Sequence, residues 1–356
     1  MDFKTALSEA IKFTDSKQVA LGYHTVVVDR GEVVRATSGH VGCSIPFDEI
    51  SGLDVAVEGS LLFRILQQIE EPSFSMVETG MKKIHNLVVS GGRSKFAIPE
   101  FPRSEAPNHP DEPDWTEAVH VESDTVGLLA VLSQLTAQDQ ASKMGGMCGL
   151  RLTEEWVGAV THQSLAVFFH AGLVKESVTI PDFLFSGVKE AVDLRVEDNR
   201  VWVKGKETGQ VRWALLIIPN WPDAAVSDTL PKMRGRLEAE GWTYTIDPAE
   251  FSASLKMSEV IRADDTVYQL LATDTEMILS TARGSNAFED QVAMTRLSGS
   301  KDAPKPVGVI PKKIAQVVSA IETTSEGPMT VMIGSPITPI LLEYGRVKVL
   351  LMTIRT

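Results

Sequence analysis

The chain has 356 residues, 43% of them hydrophobic and 23% charged, with a formal net charge of −13 at pH 7. This length allows two or three domains, and the composition is that of a globular protein. No apolar run is long enough to span a membrane and the polar start is not typical of a signal peptide, so we expect a cytoplasmic protein. The acidic charge argues against a simple basic nucleic-acid binder, but it does not exclude a smaller basic surface that faces a nucleic acid.

The first 114 residues predict two helices and six short strands. Apolar residues recur with helical spacing over residues 2–16, and again at Leu62, Ile65, Leu66 and Ile69. The proline-rich, charged stretch Arg103–Asp114 is typical of a linker. Strands are predicted at His24–Val28, Glu32–Ala36, Val41–Pro46, Phe74–Glu78, Leu87–Ser90 and Lys95–Ile98.

The same order follows between residues 115 and 237. A helix is predicted at Ser123–Gln138, and a second helix opens at Pro181 with Phe185, Val188 and Val192 on one face. The stretch Ala224–Ala239 looks like a second linker. Strands are predicted near Met147–Leu152, Val157–Thr161, Ser164–His170, Leu194–Glu197, Arg200–Lys204 and Gln210–Ile218.

A third set of elements occupies residues 238–356. Helices are predicted at Pro248–Arg262 and after Pro311, where Ile314, Val317, Val318 and Ile321 share a face. Strands are predicted at Thr266–Ala272, Glu276–Thr281, Gln291–Arg296, Met329–Ile333, Ile337–Glu343 and Arg346–Ile354.

The chain therefore contains the same group of elements three times. The helix followed by three strands recurs at offsets of roughly 120 to 130 residues, which is the size of a whole domain. We predict an α+β protein of three tandem domains, 1–114, 115–237 and 238–356, each with two helices packed on antiparallel sheet.

No catalytic or metal motif stands in a convincing context, so we predict neither an enzyme nor a cofactor. The run Ser90–Lys95 resembles a phosphate loop, but its spacing is wrong and a hairpin turn at Gly91-Gly92 explains it better. His162 and His170 lack clustered carboxylates or thiolates that would complete a zinc site. The two cysteines, Cys43 and Cys148, lie in different predicted domains, so no disulfide framework is expected.

Basic residues lie on or next to each predicted helix. Taken one at a time they indicate ordinary solvated helix faces, whereas their presence on all six helices favours a shared basic surface. The residues that would face nucleic acid are Lys12, Lys17, Arg64, Lys143, Lys189, Lys256, Lys312 and Lys313.

The threefold two-helix domain resembles the bacterial DNA polymerase III β subunit, the sliding clamp. The pieces that carry the resemblance are SGGRSKFAIPEFP (Ser90–Pro102), VTHQSLAV (Val160–Val167), WPDAAV (Trp221–Val226) and LLMTIRT (Leu350–Thr356), with the two Ile-Pro helix openers. This resemblance implies a non-catalytic, head-to-tail homodimeric ring around double-stranded DNA, without sequence preference. Helices would line the hole, with sheets outside.

The resemblance also implies two sets of contact residues. Polymerase, clamp loader and other partners would bind by short hydrophobic peptides in a pocket between the second and third domains. The pocket residues would be Met147, Leu165, Pro222, Val226, Leu350, Leu351, Met352 and Ile354. The dimer interface would contain Phe96, Ile98, Val260 and Ile261.

Two alternatives stay open. Leu350, Met352 and Ile354 share one face of the last strand and would equally well complete the core of the third domain. The whole chain would also suit a structural or assembly protein built by triplication, without a nucleic-acid partner. The runs Thr161–Ser164 and Met352–Thr356 depart from the family's usual sequences, so no peptide preference is implied.

Overall fold

The computed structural model shows an α+β protein with extensive antiparallel sheet. Its contacts divide the chain into two compact units, Met1–Glu122 with Glu190–Leu216 and Ser123–Lys189 with Ile217–Thr356. No described helix is both long and apolar enough to cross a membrane. The described residues are 1–14, 24–48, 50, 53–79, 84–136, 149–161, 163–217, 221–258, 260, 267–283, 286–299, 304–310, 314–315, 317–318 and 327–354.

Five α-helices and 23 strands lie within these ranges. The helices are α1 (Phe3–Ile11), α2 (Gly59–Gln67), α3 (Ser123–Gln134), α4 (Leu230–Glu240) and α5 (Pro248–Ser258). The strands are β1 (Thr25–Asp29), β2 (Val33–Thr37), β3 (Val41–Pro46), β4 (Val55–Glu58), β5 (Ser73–Thr79), β6 (Ile84–Gly91), β7 (Ser94–Pro99), β8 (Val119–Val121), β9 (Leu150–Leu152), β10 (Trp156–Val160), β11 (Ser164–Phe169), β12 (Val178–Ile180), β13 (Val192–Glu197), β14 (Arg200–Gly205), β15 (Val211–Leu215), β16 (Trp242–Ile246), β17 (Tyr268–Ala272), β18 (Glu276–Arg283), β19 (Asn286–Gly299), β20 (Val307–Val309), β21 (Met329–Ile333), β22 (Ile340–Tyr344) and β23 (Val347–Leu351).

The first unit contains an eight-stranded sheet and a three-stranded sheet. The eight strands follow the order β4-β1-β2-β3-β15-β14-β13-β8, and the three follow the order β5-β6-β7. Helices α1 and α2 pack on each other at Gly59, where an added Cβ would lie 2.6 Å from a methyl of Val26 and 3.2 Å from Ile11. This close approach lets the apolar faces of both helices join one core with the sheets.

The stretch Arg103–Asp114 is largely irregular, as a linker should be, but it is fixed to the sheet at two points. Arg103 donates to Asp29 Oδ1 at 3.0 Å and to the backbone oxygen of Val28 at 2.9 Å. Further along, His109 contacts β3 and β15. These contacts provide hydrogen-bond partners for polar groups that lose their contact with water as the stretch packs on the sheet.

The second unit is built on a twelve-stranded sheet with helices α3, α4 and α5. Its strand order is β12-β9-β10-β11-β23-β22-β21-β16-β19-β18-β17-β20. The register is continuous where β11 meets β23, from Ser164 opposite Leu351 to Phe168 opposite Val347. Of the predicted helix after Pro311, the described residues Ile314, Val317 and Val318 are helical and fully buried.

Two strand pairs join stretches that the sequence assigned to different domains. The β3–β15 pair connects residues of the first and second predicted domains, and the β11–β23 pair connects residues of the second and third. These ladders are formed by backbone N–H and C=O groups that nearly every residue carries, so apolar periodicity alone does not identify the partner strand. The three-domain division itself stays a prediction.

Two predicted elements differ in the structure. Residues 181–188 form successive turns rather than a helix, with i→i+3 bonds from Ser186 to Phe183 and from Val188 to Phe185. Gly187 has φ of +73°, which no α-helix accommodates, and Val192 already begins β13.

The stretch Ala224–Ala239, predicted as a linker, is helical instead. A wider π-type segment, Ala225–Thr229, leads into α4, which buries Leu230 and Leu237. Pro231 stands at the start of α4, where a proline needs no hydrogen-bonded N–H, so its presence did not signal a loop.

Candidate peptide-binding site and other predicted contact residues

An apolar sheet face in the second unit gathers several of the predicted pocket residues. Leu165 lies directly opposite Leu350 across the β11–β23 pair, and Leu341 lies opposite Leu350 on its other side. Val160 extends the row onto β10, opposite Leu165. Because facing residues of antiparallel strands project to the same side, these four strands present one continuous apolar surface.

The segment from Trp221 through α4 covers this surface. Val226, Leu230 and Leu237 belong to the same buried cluster as the sheet residues, with Trp221 packed over Gly158. The Trp221 and Trp156 rings lie 5.4 Å apart. Positions 226, 230, 233 and 237 follow i, i+4, i+7, i+11 spacing, the signal that would have identified the helix from sequence.

An ion pair fixes the start of the covering segment. Arg151 on β9 binds Asp223 with both prongs of its guanidinium, Nε to Oδ1 at 3.0 Å and Nη2 to Oδ2 at 2.8 Å. The paired geometry sets the direction as well as the distance of the contact. Pro222, one residue before Asp223, is therefore held next to the cluster, where it is half-buried.

The predicted pocket residues thus separate into buried and open members. Leu165, Val226 and Leu350 are nearly buried within one cluster, and Leu350 is only 6% exposed. Leu351 is also buried, but it alternates with Leu350 and so lies on the opposite sheet face. Met352, in contrast, is 49% exposed.

Met352 continues the β11–β23 ladder by one residue. Its N–H donates to the backbone oxygen of Gln163 at 2.8 Å. Strand alternation then places its side chain beside Leu350 on the covered face, at the open end of the apolar row. Ile354 turns away to form a bridge with Gly308, and Met147 lies outside the described residues.

A tight turn borders this open end. Thr161 Oγ1 accepts hydrogen bonds from the backbone N–H groups of Gln163 and Ser164, each at 3.0 Å. The Thr161 N–H also donates to the Ser164 oxygen at 2.8 Å. These bonds hold Thr161, Gln163 and Ser164 in position relative to one another beside Met352. An exposed apolar side chain next to residues held in this way is suited to anchoring an apolar ligand side chain.

The predicted DNA-facing residues that the structure describes are all exposed. Lys12, just after α1, forms an ion pair with Glu9 at 2.6 Å, and Arg64 lies in the last turn of α2. These two cations stand on helices that pack together in the first unit. Lys189 and Lys256 are exposed in the second unit. Lys17, Lys143, Lys312 and Lys313 lie outside the described residues.

The predicted dimer residues differ in exposure. On β7 the side chain of Phe96 is partly open, whereas that of Ile98 is buried in the core of the first unit. Of these two, only Phe96 therefore offers its side chain to a partner. Val260 is 88% exposed, which is unusual for a β-branched apolar residue. Ile261 lies outside the described residues.

Of the residues considered for chemistry, the structure describes Cys43 and His170. Cys43 is fully buried on β3, and burial raises the pKa of its thiol to about 12, so it stays protonated. His170 stacks on Phe168 with ring centroids 5.4 Å apart. Among the described residues, no group of three or more His, Cys, Asp or Glu could hold a metal ion. His162 and Cys148 lie outside those residues.

His109 is the polar residue whose role the sequence did not reveal. Its Nε2 accepts from the indole N–H of Trp213 on β15 at 3.1 Å and lies 3.1 Å from the Cys43 oxygen on β3. Its Nδ1 lies 3.2 Å from the Pro110 oxygen. Burial lowers the pKa of His109, followed by the charge of Arg35 as a further cause in that direction. The neutral ring therefore fastens the 103–114 stretch across the β3–β15 pair.

Comparison with known proteins rests on structure, because neither a family model nor a curated protein sequence matches the chain. The sliding clamp of Bartonella birtlesii bound to griselimycin matches with a TM-score of 0.76 at 13% identity, covering 99% of this chain and 97% of that one. The Bacillus subtilis sliding clamp matches with a TM-score of 0.75 at 12% identity and the same coverage. The Helicobacter pylori β clamp bound to a DNA ligase peptide matches with 0.74 at 16% identity, again with 99% and 97% covered. The chain therefore has the fold of the bacterial DNA polymerase III β subunits, the sliding clamps, at very low sequence identity to them.

Proposed function

We propose that this protein is a DNA sliding clamp, a non-catalytic processivity factor that closes around duplex DNA as a head-to-tail homodimer. The fold likeness over 99% of the chain supports this function. The observation that carries this proposal is the way in which equivalent strands of different three-stranded meanders pair with each other. The third strands of the meanders β1-β2-β3 and β9-β10-β11 each pair with the third strand of another meander, β15 and β23 respectively.

The same pattern leaves one equivalent pair open. β7 ends the meander β5-β6-β7, and β19 ends the meander β17-β18-β19. Among the described residues, β7 pairs only with β6, and Asn286–Ala293 of β19 pair only with β18. A third joint of the same kind, between β7 of one protomer and β19 of the other, made twice, closes two chains into a ring.

Charge supports this pairing. β7 carries Lys95, and the part of β19 that pairs only with β18 among the described residues carries Glu289 and Asp290. Opposite charges on adjacent strands favour pairing, and like charges disfavour it. This complementarity also argues against β7 pairing with a second β7. Exposed Phe96 and Val260 are the apolar residues that we assign to the same interface.

Duplex DNA is the proposed cargo of the ring. The candidate contacts are exposed cations, described for Lys12, Arg64, Lys189 and Lys256, and cations bind phosphates without reading bases. Lys189 follows the turns at 181–188, where a helix was predicted. A ring that slides needs such weak, sequence-independent contacts. The net charge of −13 is compatible with this role, because closure of the ring rather than attraction holds the protein on DNA.

Polymerase, clamp loader and other partners are proposed to dock by short hydrophobic peptides at the open end of the apolar face. Met352 is the exposed anchor of this site, supported by the buried row of Leu165, Val226 and Leu350. A few apolar anchors provide most of the binding energy in such sites. The peptide-bound clamp among the structural neighbours is in keeping with this mode of binding.

The ring is tested by sedimentation and by trapping on DNA. Sedimentation equilibrium should give twice the chain mass of 38.8 kDa. The dimer is then dissociated in mild denaturant and allowed to reassociate with either nicked circular or linear duplex, so that closure can trap DNA without a loader. We expect retention on the circle and release once a restriction enzyme linearises it. Equal retention on both forms, or none on the circle by a protein that has reassociated, would support a triplicated structural protein instead.

The interface is tested by charge. Val260→Glu should give monomers, because pairing would bury an unpaired carboxylate. Ile337→Glu is the matched control, since Ile337 is also an exposed apolar residue of the second unit. In addition, Lys95→Glu should weaken the dimer and Glu289→Lys in the same chain should restore it. If the control dissociates equally, or the double variant does not recover, the assignment of β7 and β19 is wrong.

A further inference from the structure

The three meanders that end in β7, β15 and β23 differ at their opposite edges. In the second meander, β8 pairs with the first strand β13, from Val119 opposite Leu194 to Val121 opposite Val192. In the third, β16 pairs with the first strand β21 along all five residues, from Trp242 opposite Ile333 to Ile246 opposite Met329. In the first meander, the only described strand beside β5 is β6.

The exposure of β5 agrees with an uncovered edge. Six of its seven residues, Ser73–Thr79, are exposed and Phe74 is half-buried, whereas β21 is almost wholly buried. Met76 is 37% exposed and Val77 38% exposed, although both are apolar. Proteins normally shorten, charge or cover a free strand edge, because unpaired backbone groups can join another strand.

The position of the uncovered edge also matches its counterparts. β8 ends two residues before α3 begins, and β16 ends two residues before α5 begins. In the first unit, the corresponding helix is α1, and its first residue Phe3 contacts Phe74 of β5 with ring centroids 5.8 Å apart. Residue Met1, however, is held at Asp48, whose N–H donates to the Met1 oxygen at 2.8 Å. Met1 and Asp2 therefore do not run along β5.

We propose that the β5 edge binds an extended segment of a partner polypeptide as a fourth strand, and that this segment is basic with apolar residues at alternate positions. The strand form follows from β8 and β16, which fill the same place in the other two meanders. The apolar alternation follows from Phe74 and Met76, which lie opposite Val89 and Leu87 on the core side of the sheet. A segment that adds to this edge extends that apolar side, as in other β-augmentation complexes.

The charge of the partner segment follows from the acidic residues around the edge. Glu70 and Glu71 are exposed just before β5, and Glu78 is exposed within it. Lysine or arginine side chains on the added strand would pair with them. A second copy of β5 is disfavoured, because antiparallel self-pairing would bring two sets of these carboxylates to the same edge. This surface lies in the first unit and does not depend on the proposed clamp function.

The edge is tested with a peptide of known strand preference. The probe is a fluorescein-labelled peptide that carries the β16 sequence, Trp242–Ile246, between two lysines at each end. Its control has the same sequence with alternate backbone nitrogens methylated, which removes the hydrogen bonds of one edge. We expect saturable binding of the probe by fluorescence anisotropy and at least about tenfold weaker binding of the methylated control. With the probe bound, amide hydrogen exchange should slow only at residues 73–79.

Two variants of the full chain complete the test. Val77→Lys should weaken probe binding about tenfold, because it places a cation beside the basic strand. Ile337→Lys, the same change at another exposed apolar residue, should bind as the unchanged protein does. Equal binding of the methylated peptide, equal loss in both variants, or protection outside β5 would overturn the proposal. Protection of 73–79 that grows with protein concentration alone would also overturn it, by showing that a second copy occupies the edge.

Discussion

Truncation of Leu350 on β23 and of Met352 just after it should have different effects on stability and on partner binding. Leu350 is 6% exposed inside the cluster of Leu165 and Val226, so Leu350→Ala leaves a cavity and should lower the free energy of unfolding by about 3 kcal/mol. Met352 is about half exposed, so Met352→Ala should cost only about 1 kcal/mol, roughly half the value of a fully buried methionine. If Met352 anchors partner peptides, its loss should weaken partner binding by about tenfold or more.

The assay measures stability and binding on the same samples. Urea unfolding is followed by tryptophan fluorescence, since Trp156 and Trp221 belong to or pack on this cluster and their emission changes when it unfolds. Partner binding is measured by polymerase pull-down per folded molecule. Met257→Ala is the matched control, because Met257 is a similarly exposed methionine on α5. Wild-type partner binding by Met352→Ala, or binding reduced equally by the Met257 control, would refute the site.

Three further predictions concern contacts within each unit. Leu230→Ala should destabilise the second unit by about 3 kcal/mol in urea unfolding, because α4 covers the apolar face, whereas a linker would tolerate the change. Arg151→Lys should cost about 1 kcal/mol, since a lysine cannot make the paired contact with the exposed Asp223, and high salt should reduce the difference. The folded state holds the pKa of His109 below the ordinary value of 6.5, so the unfolded chain binds more protons between those values; the free energy of unfolding should fall as pH drops below about 6.5, and His109→Gln should flatten that slope in unfolding curves measured at a series of pH values.

Most of the regular elements could be predicted, because each has a local pattern of apolar and turn-forming residues. Strand β3 was predicted at its observed bounds, Val41–Pro46, from a short apolar run between turn signals. Asp198 and Asn199 separate the predicted strands Leu194–Glu197 and Arg200–Lys204, and both have positive φ, which Asp and Asn adopt in turns more readily than most residues. The apolar faces of α1 and α2 were recognisable from period 3.6 alone.

The local pattern gave a wrong prediction at two stretches, because the composition of each suits more than one structure. Pro181 followed by spaced apolar residues matched a helix, but the φ of Gly187 and the early start of β13 leave room only for turns. The polar, charged residues between Ala224 and Ala239 matched a linker, because only a narrow stripe of α4 is apolar. Whether such a stripe is buried depends on the sheet face it meets, which lies far away in sequence.

Periodicity and turn signals in the sequence predict the α+β fold class and most of the repeated order of helices and strands. Tertiary packing decided which strand edges meet, as β3 with β15 and β11 with β23, and which edge stays open among the described residues, as on β5. It also decided that Leu350 is buried while Met352, two residues later, is exposed. This difference arises because strand periodicity specifies the face of a side chain, whereas edges pair through backbone N–H and C=O groups that nearly all residues carry.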